Sequence, residues 1–254
     1  MLCSIRLIIV NCTGHSILSF NALPFEAKEM KKKPGIVAQH LFRPLLKRYL
    51  AKERRYHYDG ISISVLPGVF HPGLFFSTKY LLQHILQFDL KNHSLLEPGA
   101  GSGLISFVAE KQGAIVTASD ISSTAVQNLQ LNKAALKANV EVIQSDLFDS
   151  IAFPAFDFIV INPPYYPKEA ATEEARAWYC GPNYEYFEKL FSGIHPFMHA
   201  DTKTLMVLSE ECDIDRIKNI AEKNKCNMKE VSRKKFWWEW NYIFEVTVTG
   251  NVAA

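Results

Sequence analysis

FDFIVINPPYYP, residues Phe156–Pro167, is an apolar run that stops at a polar corner. Phe158 to Ile161 reads as a buried strand of a parallel sheet. Proline lacks the N–H that a sheet ladder needs, so Pro163 and Pro164 end the strand. Asn162 is left at its carboxyl end, where open α/β sheets bind ligands. Asn162 offers a carbonyl acceptor and two N–H donors, and the Pro163 carbonyl is a second acceptor of fixed direction. Two adjacent acceptors suit a planar NH2 group. Tyr165 adds a ring face for stacking on a flat substrate. A planar amine or amide nitrogen is a poor nucleophile because its lone pair is delocalised. Hydrogen bonds that favour a pyramidal nitrogen would stabilise the transition state for attack on an electrophilic carbon. Taken alone, Asn-Pro-Pro is equally well read as a turn after a strand.

A second stretch shifts that balance. In Ser94–Gly103, SLLEPGAGSG, a short strand at Leu95–Leu96 runs into acid-x-Gly-x-Gly-x-Gly. A helix follows, with Leu104, Ile105, Phe107 and Val108 as its apolar stripe and Gly113 as its stop. Glycines let a ligand approach a sharply turning backbone. The dinucleotide spacing G-x-G-x-x-G fails here, because Leu104 stands where the third glycine belongs. Ala114–Ser119 is the next strand. Asp120 ends it, about twenty residues past the glycine loop, where an acid can accept both hydroxyls of a ribose. A helix over Ser123–Ala138, stopped by Asn139, leads to a strand at Val140–Gln144. Asp146 ends that strand, placed to accept from an adenine amino group.

Outward from this centre the period is mostly clear. Gly60–Val65 alternates as a half-buried strand, Leu66–Pro72 is turn chemistry, and Thr78–Phe88 is helical. After the Asn-Pro-Pro-Tyr corner, Tyr166–Pro182 has no clean period and reads as an active-site loop. A helix over Tyr184–Met198, a strand at Thr204–Leu208 and a helix over Ile214–Lys225 come next. Two closing strands, Lys229–Phe236 and Tyr242–Val248, complete the pattern. The cluster Phe236-Trp237-Trp238-Glu239-Trp240 between them reads as hairpin packing. Towards the start, Leu41, Leu45, Leu46, Tyr49 and Leu50 recur at helical spacing, with Lys47, Arg48, Lys52, Arg54 and Arg55 between or after them, which predicts a helix from about Pro44 and room for a shorter one before it. It reads as a solvated cap on the sheet or as a basic surface for RNA or the ribosome. His71 and His84 read as structural.

Bulk composition excludes little. The chain has 254 residues and a formal charge of +2, which implies no strong partner. Charge is uneven, however: between Met30 and Tyr58 there are nine Lys/Arg and one acid, Glu53. No apolar run approaches the ~18 residues of a membrane span. Cys3, Cys12, Cys180, Cys212 and Cys226 show no metal spacing and no C-x-x-C pair, which suits a reducing, cytoplasmic setting. Three segments are expected: 1–29 as an upstream extension before the start-like Met30-Lys31-Lys32-Lys33, 30–66 as a basic N-terminal extension, and 67–254 as the catalytic domain.

LEPGAGSG, ASDIS, SDLFD and INPPYYP, in this order and spacing, resemble the class I S-adenosylmethionine-dependent methyltransferases. The resemblance covers roughly Val69–Thr249. It implies an α/β, Rossmann-like fold: a seven-stranded, mostly parallel sheet with an antiparallel last strand, helices on both faces, and here a short helical N-terminal extension. The INPPY form is similar to two groups that methylate amino nitrogens, the release-factor glutamine N5-methyltransferases and the adenine N6-methyltransferases. The resemblance implies S-adenosyl-L-methionine as cofactor. Glu97, Gly99 and Gly101 would approach its methionine part and Asp120 its ribose, while Asp146 and Leu147 flank its adenine. Ala100, Gly103, Ile121 and Asn162 complete the binding set. Asn162, Pro163, Pro164 and Tyr165 form the catalytic corner, with no metal. The implied acceptor is a protein glutamine, as in a peptide release factor, or else an adenine of RNA or DNA. A non-catalytic RNA- or ribosome-binding module is the third alternative. Ala177–Phe191, AWYCGPNYEYFEKLF, also resembles the segment after NPPY in the glutamine enzymes, with Gly181 alone of its glycines. Gly68–Thr78 stands where that family has a cofactor-contacting segment, without its acids. No counterpart of the long helical N-terminal domain of the bacterial glutamine enzymes is expected within residues 1–66.

Overall fold

Strand and helix alternate along the chain as the apolar patterns require. The computed structural model describes residues 49–152, 155–172, 174–236 and 239–249. In chain order the elements are β1 (Arg54–Tyr58), β2 (Ile61–Val65), α1 (Phe76–Ile85), β3 (Ser94–Pro98), α2 (Leu104–Lys111), β4 (Ile115–Asp120) and α3 (Ser123–Leu136). They continue with β5 (Val140–Gln144), β6 (Phe156–Ile161), α4 (Glu185–Gly193), β7 (Met198–Ser209), α5 (Ile214–Lys223), β8 (Cys226–Phe236) and β9 (Glu239–Val248). Short 3-10 turns occupy Glu174–Ala177 and His195–Phe197.

The seven-stranded sheet has the order β5-β4-β3-β6-β7-β9-β8. Pairings from β5 through β7 are parallel, and β9 runs antiparallel between β7 and β8. This is the mostly parallel sheet with an antiparallel last strand. Strand order reverses between β3 and β6, so a crevice opens at their carboxyl ends, the place where such sheets take ligands.

Both faces of the sheet are covered, which is why its strands are apolar runs. In β6, Phe158 and Val160 join the core under α1, α2 and α3, while Ile159 and Ile161 join the core under α4 and α5. Leu95 and Leu96 of β3 divide in the same way, as do Val207 and Met206 of β7. One residue of register decides which core a side chain serves.

Several boundaries differ from those read in the sequence. Tyr49 and Leu50 are helical, and Arg54 and Arg55 beyond them lie in a strand that the sequence reading lacks: β1 pairs antiparallel with β2 across Asp59-Gly60. Both turn residues have positive φ, 45° and 72°, as a two-residue hairpin turn requires. The hairpin's Ile61, Ile63 and Val65 are buried in the same core as α1, α2 and α3. The expected boundary at residue 66 falls at the end of this hairpin. The helix expected over Tyr184–Met198 stops at Gly193; Pro196 forms a separate 3-10 turn, and Met198 already begins β7. α1 runs two residues earlier and ends three sooner than expected, and α3 ends at Leu136 with Lys137 in the left-handed region. The extension 1–29, the basic run 31–48 and the start of the helix expected from Pro44 lie outside the described residues, as do Trp237 and Trp238.

Candidate functional site

Four strand ends converge on the crevice. β3 delivers the glycine loop, β4 Asp120, β5 Asp146 and β6 Asn162. The parallel strands thus bring the glycine loop, Asp120, Asp146 and Asn162 to the carboxyl end of one sheet.

Gly99, Gly101 and Gly103 all hold positive φ (72°, 53° and 78°), but for different reasons. A Cβ on Gly99 would meet nothing within 4 Å, so that position opens onto free space. A Cβ on Gly103 would stand 2.5 Å from Leu129 and 2.6 Å from Phe107. Gly103 is therefore a packing glycine, bringing α2 and α3 together at the base of the loop. Gly103 is also the N-cap of α2, and it has no side chain with which to cap. Glu97 supplies the missing acceptor: its Oε2 accepts from the Ser106 N–H at 2.9 Å and from the Ser106 hydroxyl. Glu97 is 5% exposed. Burial pushes its carboxyl up to about 8; the two Ser106 bonds pull the other way, and Asp120 adds to the rise.

Asp120 is fixed from two sides. Gly101 N–H donates to Oδ2 and Ser122 N–H to Oδ1, each at 2.9 Å. One bond to each carboxylate oxygen fixes the plane in which the group lies. Next to it, Ile121 lines a cleft of about 380 Å³ together with Ala170, Ala171, Thr172 and Arg176 of the loop after the corner. Asp146 is exposed and pairs at 2.7 Å with Lys189, which also holds Asp149 at 2.6 Å. Burial works against the Lys189 charge, but bonds to the two carboxylates outweigh it and its pKa is raised. Leu147 is buried beside them with φ 54°. Tyr186 belongs here as well: burial, and then the carboxylates of Asp120 and Asp146, raise its hydroxyl.

At the corner, Asn162 is half-buried and held at both ends of its amide. Its Nδ2 donates to Thr78 Oγ1 at 3.1 Å, and its Oδ1 accepts from the Tyr165 hydroxyl at 3.1 Å. This fixes the amide's orientation and leaves Oδ1 a second lone pair. Tyr165, expected as a stacking ring, therefore also makes a polar contact. Burial raises its hydroxyl pKa, so it is a neutral donor. Pro163 is buried. The loop beyond returns to the corner: Tyr166 N–H donates to the Trp178 carbonyl and Cys180 N–H to the Tyr166 carbonyl, both at 2.9 Å. Trp178 lies 5.2 Å from Phe70 and 5.0 Å from Phe75, ring centre to ring centre. Phe70 in turn would be 3.8 Å from a Cβ on Gly101. A half-buried aromatic wall thus joins the segment before α1 to the loop after the corner, beside the glycine loop.

Thr78, Tyr186, Lys189 and Trp178 were not read as site residues. Thr78 opens the helix expected over Thr78–Phe88, and Tyr186 and Lys189 fall between the apolar positions of their helix. Among the described residues no group of three or more His, Cys, Asp or Glu could hold a metal ion, and no helix is long and apolar enough to cross a membrane.

Residues 60–178 match the family model of the methyltransferase small domain. That segment is similar to the family, and the class it points to is the S-adenosylmethionine-dependent methyltransferases. A candidate protein N5-glutamine methyltransferase of Methanocaldococcus jannaschii is 36% identical over 110 residues, 43% of this chain and 53% of that protein. A ribosomal RNA small subunit methyltransferase C of Yersinia pestis is 29% identical over 113 residues, 44% of this chain and 32% of that protein. The chain thus spans about half the length, or less, of these relatives. Among solved structures, the Thermus thermophilus 16S rRNA N2 G1207 methyltransferase, in complex with AdoMet and guanosine, has the same fold. Its TM-score is 0.55 at 20% identity, covering 76% of this chain and 50% of that one.

Proposed function

We propose that this protein transfers a methyl group from S-adenosylmethionine to an amide or amino nitrogen, with the glutamine side chain of a protein as first acceptor. The observation that carries this reading is Asn162, oriented by Thr78 and Tyr165 at the switch point of the sheet, beside the glycine loop. The relative at 36% identity, named for glutamine, favours that acceptor over adenine.

The residues present fit the cofactor. Open space at Gly99 leaves room for backbone approach, Gly101 and Ser122 aim the Asp120 carboxylate at the strand end, and the cleft beside Ile121 is of ligand size. We assign the methionine end to Glu97, Gly99, Ala100 and Gly101, and the adenine side to Ile121, Asp146 and Leu147. Gly103 supports that loop from beneath. When bound, the cofactor supplies a methyl carbon on a sulfonium, a strong electrophile. The chain's own work is to hold and orient. The Asn162 Oδ1 and the Pro163 carbonyl accept from the two N–H groups of the acceptor nitrogen, and so turn its lone pair towards the cofactor. Proximity and orientation supply much of the acceleration. Tyr165 steadies Asn162 and gives the acceptor a flat wall.

Cys180, Cys212 and Cys226 are buried free thiols, in keeping with the cytoplasmic setting we propose. A second reading, methylation of adenine in RNA, is favoured by the relative named for ribosomal RNA. The test is to incubate the protein and tritiated S-adenosylmethionine with a lysate from cells lacking the gene. Label released by protease alone is the expected result. Label released by nuclease instead overturns the glutamine acceptor and installs the second reading. Absence of any transferred label overturns both.

A further inference from the structure

Three of the exposed large apolar side chains among the described residues are Tyr49, ahead of β1, and Leu74 and Phe76, at the start of α1. Cations are interleaved with the aromatic ones. The Arg54 guanidinium lies 4.0 Å over the Tyr49 ring. Lys79 stands 6.0 Å from the Tyr56 ring centre and 5.7 Å from that of Phe76. Phe76 stacks on Phe236 at 4.5 Å with only 9° between the planes, and Lys234 stands 5.1 Å over Phe236. These contacts form one strip from β1, across α1, to the end of β8. Arg54, Lys79 and Lys234 make no ion pair among the described residues, while the neighbouring Arg233 is taken up by Glu230 at 2.6 Å. In sequence, Lys47 and Arg48 lead directly into Tyr49.

The strip also has a fixed place relative to the candidate site. Phe76 and Lys79 flank Thr78 on α1, and Thr78 accepts the hydrogen bond from Asn162. Phe236 ends β8 opposite Glu239, at the edge of the sheet to which Asn162 belongs.

We propose that this strip is a docking surface for single-stranded RNA. Flat rings spaced along a row of unpaired cations match a chain of bases and phosphodiesters. Base stacking on aromatic rings is tolerant of sequence, and the cations follow the backbone. Resting each ammonium on a ring also limits its freedom before binding, which lowers the entropy lost when it meets a phosphate. The proposal assigns no acceptor nitrogen and stands whether a glutamine or an adenine is methylated. An acidic peptide would find the charges but would have no use for the stacked rings.

The test is fluorescence anisotropy of the full chain with a labelled, mixed-sequence 12-nucleotide RNA at several salt concentrations. Three phosphate contacts predict a slope of log affinity against log salt of about −2, since single strands contribute about −0.7 per contact. Lys79→Ala with Lys234→Ala should flatten that slope by about 1.4 and weaken binding more than 10-fold. Phe236→Leu, which keeps the packing but not the ring, should weaken binding about 5-fold without changing the slope. Lys218→Ala is the control, because Lys218 also stands over a ring, Phe244, but on α5; it should change nothing. Cofactor affinity, measured on the same samples, should stay constant, so that failure of the strip is distinguishable from failure of the methyltransferase reading. Absence of binding, equal loss with Lys218→Ala, or displacement by polyglutamate as readily as by unlabelled RNA would overturn the proposal.

Discussion

At Glu97 a buried carboxyl replaces the cap that a glycine cannot provide. Its pKa is pushed up to about 8 from 4.5, chiefly by burial, so the folded protein keeps a proton that the unfolded chain releases. Stability is then fullest below pH 4.5 and declines as pH rises towards 8, by at most ~1.4 kcal/mol per pH unit. Glu97→Gln keeps an acceptor for both Ser106 donors and cannot ionise. Urea midpoints for the two proteins should therefore diverge between pH 4.5 and 8, with the variant the flatter; parallel curves would refute the buried, protonated carboxyl. Two further side chains separate binding from chemistry. Asn162→Ala should lower turnover about 100-fold and leave cofactor affinity nearly intact. Asp120→Ala should weaken cofactor binding by about 10- to 100-fold in calorimetry, because it removes the acceptor that Gly101 and Ser122 hold in place. An unchanged turnover in the first, or full affinity in the second, would remove the proposed role. The residue types were legible because chemistry restricts them: an acid after a strand, a glycine loop, an amide before two prolines. What a sequence does not carry is who holds them. Thr78 reaches Asn162 from 84 positions away, and no local pattern announces such a contact.

Elements were legible where one period dominates. The strands β3, β4 and β6 are apolar runs because both faces of the sheet are covered, and α5 has a clean stripe at Ile217, Ile220 and Ala221. Misreadings came where two patterns overlapped. β1 alternates Arg54, Tyr56 and Tyr58 inward over only five residues, directly after a helical approach; Asp59-Gly60 was the available signal for a hairpin. In the same way, the apolar residues of Phe197 and Met198 fit the helical spacing of α4 until Pro196 removes a donor. At this scale the glycine loop makes a paired prediction. Both Gly99→Ala and Gly103→Ala place a side chain at positive φ, which costs ~1 kcal/mol. Only at Gly103 does the added methyl also collide, with Leu129 and Phe107. Gly103→Ala should therefore lower the melting temperature by several degrees more than Gly99→Ala. Gly99→Ala should cost mainly cofactor affinity, because its methyl points into open space. Equal melting temperatures would mean that the loop relaxes as a unit and that the two glycines are interchangeable.

Across the whole molecule, the part least expected from the sequence is tied in by two buried asparagines. Asn132 of α3 accepts from the Ser64 N–H and donates to the Ser64 carbonyl, both at 2.8 Å, so its amide bonds β2 as a neighbouring strand would. Asn128, one turn earlier, accepts from the Leu66 N–H at 2.8 Å. Both amides also reach the Ser102 carbonyl of the glycine loop, at 3.5 Å from Asn128 and 3.3 Å from Asn132. The β1–β2 hairpin, the segment leading to α1, and the glycine loop are thus held by one helix face. Neither asparagine has appreciable exposure, 0% and 2%, so removing an amide strands buried backbone groups at ~1–3 kcal/mol each. Asn132→Leu, close in volume, should consequently act at a distance. Amide exchange at Ser64 and through Gly101–Gly103 should accelerate by ten-fold or more, while β7 and β9, whose second core lies under α4 and α5, keep their protection. Cofactor affinity should fall with the loop, although residue 132 belongs to no proposed cofactor contact. If exchange instead accelerated evenly over the whole sheet, the asparagines would be ordinary contributors to global stability. The hairpin would then have no separate hold on the site.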